Sequence, residues 1–205
     1  ETETLKPVAG CGAAAEPGRG HTATGNPSSV PTASGRGGVG GTVGEAKTRS
    51  AKTGSTCAYG GVTPEVPRVG SNAAQSADII ISYTTPAGTN YPLAGSSAAY
   101  GGWTGGWKST SNGTTTTYSA GINKGFVVVD TPDLLAHFAA GFLAGQRRGN
   151  VLLHELGHVV GLNHVSSPSL LMYPAISAGT PAGYAAGDLA GLARVGRTAG
   201  CIAGW

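Results

Sequence analysis

The stretch HELGHVVGLNH, residues 154 to 164, gathers three of the chain's five histidines, a glutamate and two glycines into eleven positions. Apolar Val151, Leu152, Leu153, Leu156, Val159 and Val160 surround the first two histidines and predict a mostly buried helix over 149–160. On such a helix His154 and His158 lie one turn apart, so both imidazoles project from one face toward one point. Glu155 sits about 100° further round, a place that suits a general base better than a third ligand. Gly161 can take the left-handed conformation that ends a helix and turns the chain sharply, bringing His164 back as a third nitrogen. Three nitrogen ligands with one position left open describe a catalytic zinc, whereas a structural zinc is closed by four protein ligands. The expectation is one zinc per chain on His154, His158 and His164, with Glu155 beside it. The plainer reading, histidines satisfied within a core, does not account for the glutamate, the glycine and the third histidine falling in place together.

Composition narrows the partners. Charged residues make up 11% of the chain and the formal net charge is +3. The one adjacent basic pair is Arg147 and Arg148, without a basic stripe or interleaved aromatics, so nucleic acid is not an expected partner. No apolar run approaches the length that crosses a membrane. At 205 residues and 40% hydrophobic, the chain suits one globular domain with length left over.

That extra length is at the front. Residues 1–42 are rich in Gly, Ser, Thr, Ala and Pro and are read as a disordered lead, because they cannot bury enough surface to offset the entropy of ordering. Within them Gly35, Gly37 and Gly40 satisfy a dinucleotide-binding glycine pattern, but no strand precedes it and no helix follows closely, so it carries no cofactor. The start, ETETLK, has neither an initiator Met nor a signal-peptide pattern and reads as a mature form, a trimmed chain or a fragment. Cys11, Cys57 and Cys201 are too widely spaced for a Cys-x-x-Cys site; an oxidising compartment would allow one disulfide and a spare thiol, a reducing one three thiols.

Residues 43–205 form the predicted folded domain. Val43 to Thr56 is a weak helix without an apolar face. Ala77 to Tyr83 (ADIIISY) is a strong strand whose unbroken isoleucines suit an inner position in a sheet. Ser96 to Gly102 is extended and WTGGW is a turn. TTTTYSAG and GFVVVD read as two strands with glycines helping the turn between them. Pro132 opens a short helix, and the final amphipathic segment puts Leu189, Leu192 and Val195 on one face.

The histidine motif together with SLLMYP resembles the metzincin zinc peptidases, and within them the matrixins, the matrix-metalloproteinase-like branch. Met172, the single methionine, falls where metzincins place the turn methionine beneath the metal, and Met172-Tyr173-Pro174 matches the matrixin form of that turn. The resemblance spans roughly 59–200 and implies an α+β catalytic domain: a mixed twisted sheet, an active-site helix and a C-terminal helix. It implies that Ala98, Ala99, Tyr100 and Gly101 belong to the substrate-binding edge strand, and that Pro174, Ala175 and Ile176 wall a specificity pocket. Val165 stands where matrixins usually carry serine, and with only His21 and His137 outside the motif a second, structural zinc has no ligands. Calcium stays open: Asp78, Asp130 and Asp133 are candidate ligands, although caps and turns are the commoner use of aspartate. Cys11 is similar in position to the pro-segment cysteine of matrixin zymogens but lacks its flanking residues; pairing with Cys201 is the favoured alternative in an oxidising compartment.

The implied activity is endopeptidase cleavage of protein or peptide substrates, with a zinc-activated water and Glu155 passing the proton from water to the departing amine. The resemblance further implies a secreted, extracellular monomer of the kind that acts on extracellular matrix, without membrane insertion. Two alternatives remain: a zinc-binding but inactive or zymogen-like homologue, and a non-enzymatic secreted module. Zinc stoichiometry separates the last from the others, and peptide cleavage separates the first from the second.

Overall fold

The computed structural model describes residues 2–5, 68–69 and 79–195. The predicted helix at 43–56, all three cysteines, Asp78 and His21 lie outside these residues, as does the lead apart from its first strand.

Five strands form one mixed sheet: β1 (Thr2–Leu5), β2 (Arg68–Val69), β3 (Ile79–Thr84), β4 (Ala99–Ser111) and β5 (Thr116–Asp130). Their order across the sheet is β2-β1-β3-β5-β4. β3 and β5 run parallel, and the other neighbouring pairs are antiparallel. Three helices follow: α1 (Thr131–His137), α2 (Arg148–Val159) and α3 (Ala186–Leu192). This is the expected α+β arrangement, and no helix of the described residues is long and apolar enough to cross a membrane. Thr2–Leu5 stands as a strand within the stretch expected to lack structure, because its main chain completes a ladder with Ile79–Ser82 whatever its side chains are.

The isoleucine run takes the inner position that its composition suggested. Ile79 and Ile81 are fully buried and face α2, with Val127 and Val129 of β5 beside them. Leu153, Leu156 and Val159 of α2 complete that layer. The opposite face carries Ile80, Val128, Phe126 and Tyr100, over which Tyr91 packs with its ring centroid 4.9 Å from Phe126.

One expectation fails in the hairpin. TTTTYSAG and GFVVVD are a single strand, and WTGGW is extended rather than turned. The turn lies at Asn112 and Gly113 instead. Gly113 has φ of 89°, and the Asn112 side-chain oxygen accepts from the N–H groups of Thr114 (3.1 Å) and Thr115 (2.8 Å). An Asn-Gly pair with that local hydrogen bonding is a stronger turn former than scattered glycines. Gly105, Gly106, Gly121 and Gly125 stay in the ladder, with only a register shift at Thr104/Gly105.

Glycine at 125 has a packing reason. It faces α2, where a Cβ would run into Cγ1 of Val159. Phe142 likewise fills the space a side chain on Gly149 would need. Arg148, the first residue of α2, donates from Nε to the Phe138 carbonyl (2.8 Å) just past α1, which ties the two helices together. Gly125→Ala should therefore lower stability by about 1–3 kcal/mol through overpacking, read as a lower urea midpoint with an unchanged slope. An unaltered midpoint would mean that sheet and helix are further apart than described.

Candidate metal centre

Helix α2 carries the first two histidines and ends as the glycine predicts. Gly161 has φ of 99°, its N–H donates to the His158 carbonyl (3.0 Å), and the Leu162 N–H reaches back to the Gly157 carbonyl (2.9 Å). This paired closure uses a residue in the left-handed region, which glycine enters at no steric cost. The chain then reverses and brings His164 to His154 and His158.

The three Nε2 atoms form a triangle: 3.1 Å between His154 and His164, 3.2 Å between His158 and His154, and 3.1 Å between His158 and His164. Two of the rings have their tautomer set from behind. The Nδ1–H of His154 donates to the Leu171 carbonyl (2.7 Å), and that of His158 donates to the Leu162 carbonyl (2.8 Å). Their Nε2 atoms are then bare acceptors aimed at each other, and two lone pairs at this distance repel unless a cation lies between them. A proton is a poor candidate at neutral pH. Burial lowers the pKa of His154 to about 4, and burial lowers those of His158 and His164 as well. Nitrogen ligands of a tetrahedral zinc, with bonds of about 2.0–2.1 Å, stand roughly 3.3 Å apart. The donor set and its spacing fit that ion, and among the described residues this is the one group of three or more candidate ligands so placed.

Glu155 is 8% exposed and lies against the edge strand, where the Gly101 N–H donates to its carboxylate. Burial raises its pKa to about 7, and the Gly101 hydrogen bond opposes part of that rise.

Behind the histidines, Met172 is 1% exposed and its sulfur packs on Gly157, where a Cβ would collide with it. Sequence reasoning assigned Gly157 no role; a glycine inside a helix costs about 1 kcal/mol relative to alanine, which is the signal that another group must come close. It also missed Asp188, read only as part of an amphipathic segment. Asp188 is 2% exposed and its carboxylate accepts from the N–H groups of Leu171 (2.8 Å), Met172 (3.2 Å) and Ala185 (2.9 Å). Asp188 and Leu192 are the buried face of α3, whereas Leu189 is exposed; the expected Leu189–Leu192–Val195 face gives way because the carboxylate has three backbone donors to satisfy. Tyr184 was missed as well; its hydroxyl donates to the Leu153 carbonyl (2.7 Å), immediately before His154.

Of the residues expected to contact substrate, Ala99, Tyr100 and Gly101 lie on β4, which is an edge strand, and buried Ala98 directly precedes it. The main chain of Ala98 is already engaged, since its carbonyl accepts from the Asp130 N–H (2.9 Å). Pro174 and Ala175 are exposed after the turn, and Ile176 packs on the core. Asp130 caps α1 by accepting from the Asp133 N–H (3.3 Å), and Asp133 faces His137, so both have structural work.

Comparison with known families agrees with this geometry. Residues 113–194, from the hairpin turn through α3, match the matrixin family. No curated protein and no solved structure matches the chain.

Two outcomes test the site. Asp188→Ala should strip three N–H groups, two of them buried, of their acceptor and cost about 3–5 kcal/mol, since each unmade bond costs roughly 1–3 kcal/mol. Asp188→Asn, which keeps one acceptor oxygen, should cost less, and thermal melts with zinc analysis rank the two. In metal-free protein the Glu155 carboxyl has a folded pKa raised from 4.5 to about 7. A raised pKa gives stability that is fully present below about 4.5 and is lost as pH rises through about 7. Glu155→Gln should therefore gain on the parent across that window, by up to about 3 kcal/mol. A stability difference independent of pH would show that the carboxyl is not desolvated.

Proposed function

From the match of residues 113–194 to the matrixin family and the geometry of the three histidines, we propose that the protein is a zinc-dependent endopeptidase. His154, His158 and His164 hold the ion, and Glu155 is the general base. The observation that supports this reading above all others is the triangle of Nε2 atoms 3.1–3.2 Å apart, with two of the rings held by carbonyls so that bare nitrogens converge.

Zinc bound there would supply Lewis-acid polarisation of a peptide carbonyl and a water of lowered pKa. The chain's own residues do the rest. A carboxylate oxygen of Glu155 takes a proton from water as the water oxygen bonds to the carbonyl carbon. The same carboxyl returns that proton to the amide nitrogen as the carbon–nitrogen bond breaks, so water is consumed and one acid and one amine leave. In the metal-free site burial raises this carboxyl to about 7, the direction that lets one side chain both accept and return a proton near neutral pH. Neither a serine nor a cysteine nucleophile is required. The open edge of β4 aligns an extended substrate by main-chain hydrogen bonds, which tolerate varied side chains. Pro174, Ala175 and Ile176 wall the pocket for one substrate side chain. The substrates proposed are proteins or peptides and the setting extracellular, as in the family it resembles.

One zinc per chain is expected by elemental analysis, and casein should be cleaved without chelator and spared with it. Glu155→Ala should keep its zinc and lose about 10^2- to 10^4-fold in rate, the range of a general acid–base group. Cleavage at the parental rate by that variant would remove Glu155 from the mechanism, and a zinc-free folded protein would remove the proposal altogether.

A further inference from the structure

β4 is the last strand of the sheet, and no strand lies beyond it among the described residues. In an antiparallel ladder, residues alternate between turning their N–H and C=O toward the partner strand and turning them away. The Ala98 carbonyl accepts from the Asp130 N–H, and this pair lies in register with Ala99↔Val129 and Gly101↔Val127. Ala98, Tyr100 and Gly102 therefore face β5, whereas Ala99, Gly101 and Trp103 turn their main chain to the open edge.

The edge-facing N–H of Gly101 is not left to solvent, because it donates to the Glu155 carboxylate. The approach is a close one. A Cβ built on Gly101 would stand 2.7 Å from the Glu155 carbonyl oxygen, 2.7 Å from Oε2 and 2.8 Å from Cβ. The strand thus meets both the main chain and the side chain of the helix at this residue, and no larger side chain fits between them.

We infer that Gly101 is a positioning residue: its edge-facing N–H and its missing side chain seat the Glu155 carboxylate on one rung of the open β4 edge, so that an extended substrate pairs at Ala99 and Trp103 and skips the Gly101 N–H between them. The purpose of the carboxylate rests on the peptidase reading; the rung itself does not. Ala99 and Trp103 lie two residues to either side of Gly101, each roughly 7 Å away along the strand. Backbone pairing at both would fix the base within the substrate's register, so the strand edge helps to choose the peptide bond that is cut. A glutamate without this donor would sample several rotamers, and the entropy of ordering it would fall on the reaction step.

Amide hydrogen exchange on the zinc-loaded full chain tests the inference without any substrate being cleaved. The Gly101 amide should exchange at least about tenfold more slowly than the Ala99 and Trp103 amides, since a hydrogen bond to a charged acceptor contributes about that much. Glu155→Ala should bring Gly101 to the rate of its two neighbours, and Glu155→Gln, which keeps an acceptor oxygen, should leave it slow. Equal rates for the three amides in the parent would overturn the inference, as would a slow Gly101 amide unaffected by Glu155→Ala. A slow, Glu155-dependent amide in a protein that cleaves nothing would sink the peptidase proposal and leave this contact standing.

Discussion

The carboxylate of Asp188 holds the site together from behind. It accepts the N–H groups of Leu171 and Met172, fixing the turn, and that of Ala185, fixing the start of α3. From the same turn, the Leu171 carbonyl receives the His154 Nδ1–H and the Met172 carbonyl receives the Val165 N–H, next to His164. Two of the three histidines are thus oriented through a turn that one buried side chain braces. Bonds to an ionised acceptor are stronger and more directional than neutral ones, which suits a group that must hold ring nitrogens to a few tenths of an ångström.

Close approach is the second constraint, and glycine is how the chain meets it. α2 is contacted from several sides at once: by β4 at Gly101, by β5 at Gly125, by Phe142 at Gly149, and by the methionine turn at Gly157. Each position lacks a side chain where one would collide with a neighbour. Helix, edge strand and turn are consequently near enough for main-chain groups to reach the side chains of the site. The helix gives up some intrinsic propensity at Gly149 and Gly157 for that proximity.

Burial then sets the chemistry. Desolvation lowers the pKa of the three histidines and raises that of Glu155. Both shifts favour neutral side chains, yet they act in opposite senses on function. Neutral imidazoles have lone pairs free for a cation, while burial moves the metal-free carboxyl up toward neutral pH. One apolar environment prepares both halves of the site without a further charged partner.

The local part of this protein was legible in residues 148–164. The spacing of His154, His158 and His164, the apolar positions around them and Gly161 specify a helix, its end and a returning histidine, because periodicity and glycine conformation are properties of a few neighbouring residues. The isoleucine strand was legible for the same reason. The hairpin was misread at WTGGW and SAGINKG, since glycine permits a turn without requiring one and the pairing of β4 with β5 outweighed it. Asp188, Tyr184 and Gly157 carried no readable role, because the Leu171 and Met172 N–H groups, the Leu153 carbonyl and the Met172 sulfur that give them one are 17 and 16, 31 and 15 residues away in the chain. The sequence by itself determined which groups can hold a metal and move a proton. Only the tertiary structure decided that Gly101 faces Glu155 across the strand edge, because which way a strand's N–H points depends on the partner it pairs with and not on its own residues.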